Sequence, residues 1–422
     1  MNIFFRVINK LIPYINTLSG KAAKALDRGR GASFSLKASS PLADRLLVDS
    51  LRLTEIPSPT HQEEQRAAFI LERLGNLGIS PQMDDHGNIL VRIPARTPQD
   101  NQALLLFSDM GSNHWHPLDS LTRLDSRYAK GAGLADILGC AALLSVAESL
   151  TENRLQSGRD VVLLFAAGSL DDPEGKAFFS ISDNPSHFPC AAIGIRGLYL
   201  GSVVTNTQGI YRIRVSMGRE QADTVKDDEE TADIPVSPGA NQVVDTLIST
   251  ARKLSGITWD SKGTTHFYIR RIEAGTGFGR APQEGILEIE LESSDGAQLE
   301  MAMNTVVATA RASAQASAEN PKAGPAIKTE VNITSFIPVG EQNNNPELFK
   351  TIRSVMKDLR IRLREENGAD PSAILSNRGI PSFSIGIARG WEGLNTDTID
   401  IASIEKGRQL IEALITRMGA NE

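Results

Sequence analysis

Cysteine is nearly absent. Cys140 and Cys190 are the only two in 422 residues, so no disulfide framework organises the chain. Both sit in apolar runs, the setting of a buried thiol rather than a reactive one. Histidine is scarce too, six in all: few for a His-ligated metalloenzyme, although a two-metal centre needs only two. Apolar runs are short, and none is read as reaching the roughly 18–20 residues that span a bilayer. Basic charge does not dominate: 44 Lys and Arg against 51 Asp and Glu leave a net charge of -7. That balance excludes a general affinity for nucleic acid. What is present, 41% hydrophobic and 23% charged residues, is the make-up of a globular protein. A chain of this length exceeds what one core usually holds, so two domains are expected.

Residues 1–40 differ from the rest. Arg6, Lys10, Lys21, Lys24, Arg28, Arg30 and Lys37 stand against one acid, Asp27. Phe4, Ile8, Leu11, Ile15 and Leu18 recur at the spacing of one helical face, interrupted by Pro13. Two readings stay open: a basic amphipathic arm, residues 1–28, for an anionic membrane surface or a protein partner, or an extra helix docked on the body with Gly29–Ser40 as linker. The docked helix is preferred. Arg6, Lys10 and Pro13 break the apolar segment, which argues against a cleaved signal peptide. The expected location is cytoplasmic, with the arm as the route to a membrane surface.

The body reads as alternating strands and helices. Leu46, Leu47, Leu51 and Leu53 mark a helix stopped by Ile56-Pro57-Ser58-Pro59, and a second runs over Glu63–Leu77. Asp85-His86-Gly87-Asn88 is a turn before the strand Ile89–Ile93, which makes His86 a turn residue. Ala103–Phe107 is a buried strand. After it come Gly131-Ala132-Gly133, Asp136, and the small apolar series Gly139-Cys140-Ala141-Ala142-Leu143-Leu144, a helix suited to packing close against a sheet. Strand, Gly-rich loop and Asp at a helix start place side chains at the carboxyl edge of a sheet, where α/β proteins build their sites. Asp160–Ala167 is a second buried strand, running into Asp171-Asp172-Pro173-Glu174. Adjacent carboxylates repel unless a cation lies between them or one is protonated; a solvated Asp-Pro turn is the plainer alternative. Ala191–Ile195 is a third apolar run. Residues 207–319 read as a separate α/β unit (strand, helix, two strands, Ala-rich helix) with Glu220–Ser237 as an acidic mobile loop. Strands at Ile327–Ile333 and Ser382–Ile387 and helices at Pro346–Leu363 and Asp400–Met418 complete the chain.

This frame resembles the di-zinc exopeptidases of clan MH, the group containing peptidase T, aminoacylase and succinyl-diaminopimelate desuccinylase. The resemblance is carried by Leu53–Pro59, Gly87-Asn88-Ile89, the strand before Asp109, Gly131-x-Gly133-x-x-Asp136, Gly139–Leu144, and Ser376-Asn377-Arg378-Gly379-Ile380-Pro381. It runs from about Asp44 to the C-terminus. It implies an α/β fold: a zinc-exopeptidase-like domain with a central mixed sheet flanked by helices, plus an inserted smaller α/β lid that makes a homodimer contact. The implied boundaries are 1–40 for the N-terminal extension, 41–206 and 324–422 for the peptidase-like domain, and 207–323 for the lid.

The same resemblance shows what has changed. The family's His-x-Asp falls on Asp109-Met110-Gly111. The bridging carboxylate is matched by Asp136. The Glu-Glu of base and zinc ligand falls on Asp171 and Asp172, or on Asp172 and Glu174 if the loop is one residue longer. The ligand ending the third strand falls on Arg196, which cannot ligate a metal and is expected to pair with Asp136 or Asp172. The last His ligand falls on Asn395, a poor zinc donor. The lid His that reaches the substrate has no counterpart in Gly218–Asp223. The resulting expectation is a catalytically degenerate relative, with no cofactor, serving as a dimeric scaffold or as a binder of a peptide or amino-acid derivative. Asp109, Asp136, Asp172, Arg196 and Asn395 would line its cleft. The alternative is a zinc-dependent exopeptidase or amidohydrolase with a rebuilt site, Asp136, Asp172, His114 and His116 holding the metal and Asp171 as base. His61, His187 and His266 are read as surface or packing residues.

Overall fold

The computed structural model describes residues 40–58, 61–96, 98, 102–112, 122–168, 178, 189–219, 241–259, 264–277, 281–319, 326–340, 346–393 and 395–419. The expectations for residues 1–28 and for Glu220–Ser237 lie outside these. Two helices open the body, α1 (Pro41–Thr54) and α2 (Glu64–Gly75), followed by β1 (Gln82–Met83), β2 (Ile89–Ile93) and β3 (Ala103–Asp109). The short β4 (Arg123–Leu124) and β5 (Tyr128–Gly131) precede α3 (Leu134–Thr151), then β6 (Asp160–Ala166), β7 (Pro189–Arg196) and β8 (Ser202–Thr207). The inserted unit is β9 (Gly209–Arg219), α4 (Gln242–Ser255), β10 (Thr265–Ala274), β11 (Glu284–Ser293), α5 (Gly296–Ala318) and β12 (Ile327–Ile337). The chain closes with α6 (Pro346–Asp358), β13 (Arg364–Gly368), α7 (Ser372–Ser376), β14 (Ser382–Gly386), β15 (Gly390–Trp391), β16 (Asp397–Asp400) and α8 (Ile401–Gly419).

Eight strands form the central sheet in the order β1-β2-β6-β3-β7-β14-β8-β13. β3 runs parallel to both β6 and β7, and β14 parallel to β7, whereas β2 pairs antiparallel with β6 and β8 antiparallel with β14. The sheet is therefore mixed, with a parallel centre. Six of the seven β3 residues are buried, because an inner parallel strand is covered on both faces. Leu104 and Leu106 pack into one core with α1, α3 and α8, while Leu105 and Phe107 pack on the other face with Phe178 and Ile374. That alternation is the pleat of the strand.

Helix α3 lies against this sheet through its small residues. A Cβ on Gly139 would strike Ser108 Oγ and the Ile195 carbonyl, and one on Gly197 would strike the Ala135 carbonyl. By length and composition α3 is apolar enough to cross a membrane, which corrects the reading that no stretch reaches that length; 83% of it is buried inside the fold. Apolar on all sides, it is a core helix.

The inserted unit has its own four-stranded antiparallel sheet, β10-β11-β9-β12, covered by α4 and α5. Ile213, Val215, Met217, Leu287, Ile289 and Leu291 face Val243, Leu247, Leu299 and Val306 in a separate core. β12 belongs to this sheet, with Val331 opposite Val215. The lid sheet thus extends to Ile337, past the expected boundary at 324. Its alternating, half-exposed pattern fits an antiparallel edge strand rather than an inner parallel one. Two further differences concern polar segments. Helix α6 stops at Asp358 rather than Leu363, with Arg360 at φ 54° and Ile361 N donating to Met356 O. Beyond it, the charged Arg364–Gly368 forms the edge strand β13, which no apolar alternation announces.

Candidate functional site at the carboxyl edge of the sheet

Parallel strands bring their carboxyl ends to one edge. Asp109 ends β3 in register with Ala166 of β6, and Met110 N donates to Ala166 O over 2.8 Å. Arg196 ends β7 opposite Gly386 of β14. Beside this edge lies a small sheet, β15-β16-β5-β4, in which Asp397 pairs with Gly131. That register brings β16 to the N-terminus of α3. Asp397, fully buried, accepts a hydrogen bond from Ala135 N through Oδ2 at 3.1 Å. A carboxylate there satisfies an orphan amide and faces the positive end of the helix dipole.

The segment after β3 is held residue by residue. Cys140 Sγ donates to the Asp109 carbonyl at 3.0 Å, Arg66 Nη1 to the Met110 carbonyl at 2.7 Å, and Ser112 Oγ to Asp136 Oδ2 at 2.7 Å. Ser112 N also donates to Ser58 O over 3.2 Å, tying in the break between α1 and α2. Gly133 makes room for the Ser112–Asp136 contact: its φ is +68°, and a Cβ there would lie 2.5 Å from Ser112 Oγ. The turn after β6 is pinned as well, by Asn88 Oδ1 accepting from Ala167 N at 2.8 Å and Glu63 Oε1 accepting from Gly168 N at 3.0 Å.

Asp109 is half-buried at the strand end, and Asp136 sits in the first turn of α3. Arg196 pairs with Glu366 of β13 at 3.1 Å and lies over the Tyr199 ring; of its two expected partners, Asp136 instead accepts from Ser112 and Asp172 lies outside the described residues. The reason is register: β13 runs parallel to β8 at the same end of the sheet and supplies a nearer carboxylate. Asn395 lies on the exposed turn between β15 and β16. His114, His116, Asp171, Asp172 and Glu174 lie outside the described residues. His86 is in the turn, its amide donating to Asp84 Oδ1. His61 sits at φ 69° beside Gly168, and His266 stacks near Tyr268 on β10.

Arg66, Glu63, Ser112 and Asp397 belong to this site and were not singled out in the sequence. Arg66 carries no sequence signal, because it occupies one position on an otherwise apolar helix face. Asp397 had a weak one, two residues after Asn395. Burial pulls the Arg66 guanidinium down to about 10 while the carboxylates of Asp136 and Glu63 pull it back up, so it is charged at neutral pH. Burial pushes the Cys140 thiol up to about 12, against its hydrogen bond at Ser108. This thiol is a structural donor rather than a nucleophile.

Among the described residues no group of three or more His, Cys, Asp and Glu side chains is placed to hold a metal ion. Of the described carboxylates, Asp136 accepts from Ser112 and Asp397 from Ala135 N, and Arg196 and Asn395 add a guanidinium and an exposed amide. These described side chains by themselves do not make the imidazole and carboxylate set that a pair of zinc ions needs.

No sequence-family profile matches the chain, and no curated protein matches it by sequence. Solved structures do match in shape. Aminopeptidase PepT from Bacillus cereus superposes with a TM-score of 0.60 at 15% identity, over 90% of this chain and 99% of that one. A tripeptidase from Staphylococcus aureus gives 0.63 at 17% identity, over 89% and 98%. A dinuclear metal-binding peptidase of the M20 family from Bacillus subtilis gives 0.55 at 13%, over 89% and 97%. The superposition spans both the central domain and the inserted one, and the chain therefore has the fold of the M20 metallopeptidases of clan MH.

Proposed function

We propose that this chain is a catalytically degenerate relative of the M20 peptidases and amidohydrolases, a homodimeric scaffold that binds a peptide or amino-acid derivative in the retained cleft. The observation that carries the reading is the fate of the carboxyl edge. Asp136, at the bridging position, accepts from Ser112, and the strand end that holds a metal ligand in the family carries Arg196, itself paired with Glu366. A fixed cation where a ligand belongs repels a metal ion and suits an anionic group, such as a ligand carboxylate, instead. The dimer part of the reading is supported by β10, a ten-residue lid edge strand that leaves Tyr268 37% and Ile272 50% exposed.

Metal content tests the first part: purified protein is incubated with zinc, freed of excess and assayed. No retained zinc, with no hydrolysis of peptides or N-acyl amino acids, is the expected result. Two ions held per chain would overturn the reading and revive a rebuilt centre that includes His114 and His116. For the dimer, light scattering should give the mass of two 45.6 kDa chains.

A further inference from the structure

Tyr199 is one of four non-glycine residues with left-handed backbone among the described residues, with His61, Asn153 and Arg360. Asn153 and Arg360 lie just past the ends of α3 and α6, where a left-handed cap is ordinary. His61 belongs to the break between α1 and α2. Tyr199 has no helix to end. It sits in the turn from β7 to β8 at φ 65°, a conformation that strains an aromatic residue. The turn is fixed on both sides. Ser202 N donates to Tyr199 O, Leu200 N to Ala388 O and Gly201 N to Gly386 O. Gly386 leaves the room, since a Cβ there would lie 2.2 Å from the carbonyls of Leu198 and Tyr199. The strained turn sets the phenol ring against the Arg196 guanidinium, 5.9 Å from Cζ to centroid, within cation–π range.

The carboxylate that Arg196 meets comes from far across the sheet. β7 and β13 have β14 and β8 between them, so they stand three strand spacings apart, about 14 Å. Both side chains are therefore drawn out across the strand ends. They touch through one nitrogen and one oxygen, Nη1 and Oε2, at 3.1 Å, and stay 36% and 29% exposed. An open pair of extended side chains adds little to stability, because ordering them offsets their attraction. As a fastening between strands it is weak. Among the described residues neither group makes another hydrogen bond or ion pair, which leaves the other guanidinium nitrogens and Glu366 Oε1 for a ligand.

Opposite fixed charges side by side discriminate by charge type. A ligand with a carboxylate alone is repelled by Glu366, and one with an ammonium alone by Arg196. A ligand carrying both on neighbouring atoms is attracted twice. The α-carbon of a free amino acid bears such a pair, whereas acylation removes the ammonium and amidation the carboxylate. We propose that Arg196 and Glu366 form a recognition site for the zwitterionic head of a free α-amino acid, its carboxylate on Arg196 and its ammonium on Glu366. Tyr199 is the positioning residue that holds the guanidinium in place. The inference rests on the binding reading above and narrows its ligand.

Calorimetric titration of the full chain with each of the standard L-amino acids tests it. At least one should bind, and its N-acetyl and amide forms should bind about tenfold more weakly or worse, the loss of one charge-assisted contact. Glu366→Gln should weaken the free amino acid by a similar factor and tighten its N-acetyl form, which no longer meets a repelling carboxylate. Arg196→Gln should abolish binding of both. Tyr199→Phe, which keeps the ring, should bind as wild type does, and Tyr199→Leu more weakly. Undiminished affinity in Arg196→Gln or Tyr199→Leu, or binding of no free amino acid, would overturn the proposal. Should Arg196→Gln fail to fold, the opposite responses of the free and N-acetyl forms to Glu366→Gln decide it. If peptides or N-acyl amino acids alone bind, the zwitterion site falls and the degenerate-peptidase reading stands. Zinc retained together with a free amino acid bound through these residues would do the reverse.

Discussion

Gly133 shows how one residue governs the site. The chain must turn sharply from β5 into α3 while Ser112 reaches across to Asp136. Only a residue with no Cβ tolerates both the left-handed backbone and the space that Ser112 needs. Gly133→Ala should therefore lower stability by about 2 kcal/mol, measured by urea denaturation, with strain and the displaced Ser112 both contributing. The neighbouring small residues of α3 act through packing instead. Buried charge in the same helix is handled by pairing: Glu148, 1% exposed, is gripped by Arg45 and by Arg73 Nη2, the latter at 2.7 Å. A lone carboxylate there would be expensive.

At the scale of elements, the decisive contact is α3 on the parallel strands. Gly139 and Gly197 let helix and sheet backbones approach within reach of each other's carbonyls, and this seats Asp136 and Cys140 over the ends of β3. Gly139→Ala should push the helix off the sheet and lower the melting temperature by several degrees, on the order of 1–3 kcal/mol of overpacking. Gly368→Ala, on the edge strand β13 with nothing within 4 Å of its added Cβ, should change it by no more than about 0.5 kcal/mol. Comparable losses from both would refute the close-approach argument. The short β5–β16 pairing has a different role. It carries Asp397 to the start of α3 and, with it, the turn that holds Asn395.

Across the whole molecule, the first described residue is fastened to the last helix. Ser40 caps α1 by accepting from Ala43 N and donates to Glu405 Oε2 of α8 at 2.6 Å. Burial raises the Glu405 carboxyl, but Arg408, Ser40 and Gln409 outweigh it and hold the group below its ordinary value of 4.5. A carboxyl depressed in the folded state contributes stability that is present above that value and lost as pH falls through the lower, folded-state one. Wild type should therefore lose stability on acidification below about pH 4.5, and Glu405→Gln should flatten that limb in urea midpoints taken from pH 6 to pH 3. An unchanged slope in the variant would assign the acid sensitivity to other carboxylates.

The sequence by itself determined the central elements. The run Ala103–Phe107, the Gly-x-Gly-x-x-Asp loop and the small-residue helix are strong local patterns, and β2, β3, β6, β7, α3 and α8 follow them closely. Periodicity located the strand ends and helix start that carry Asp109, Asp136 and Arg196, while the family resemblance marked Asp109 and Arg196 as candidate site positions. Tertiary structure decided what pairs with what. β13 and the small sheet are polar and short, so nothing local marks them, yet they bring Glu366 to Arg196 and Asp397 to α3. β12 joined the lid because hydrogen-bond register, not composition, chooses a strand's partner. Arg66 was invisible in the text of the chain. Its charge acquires meaning only where folding buries it, some forty residues from Met110 in sequence and within hydrogen-bond distance in space.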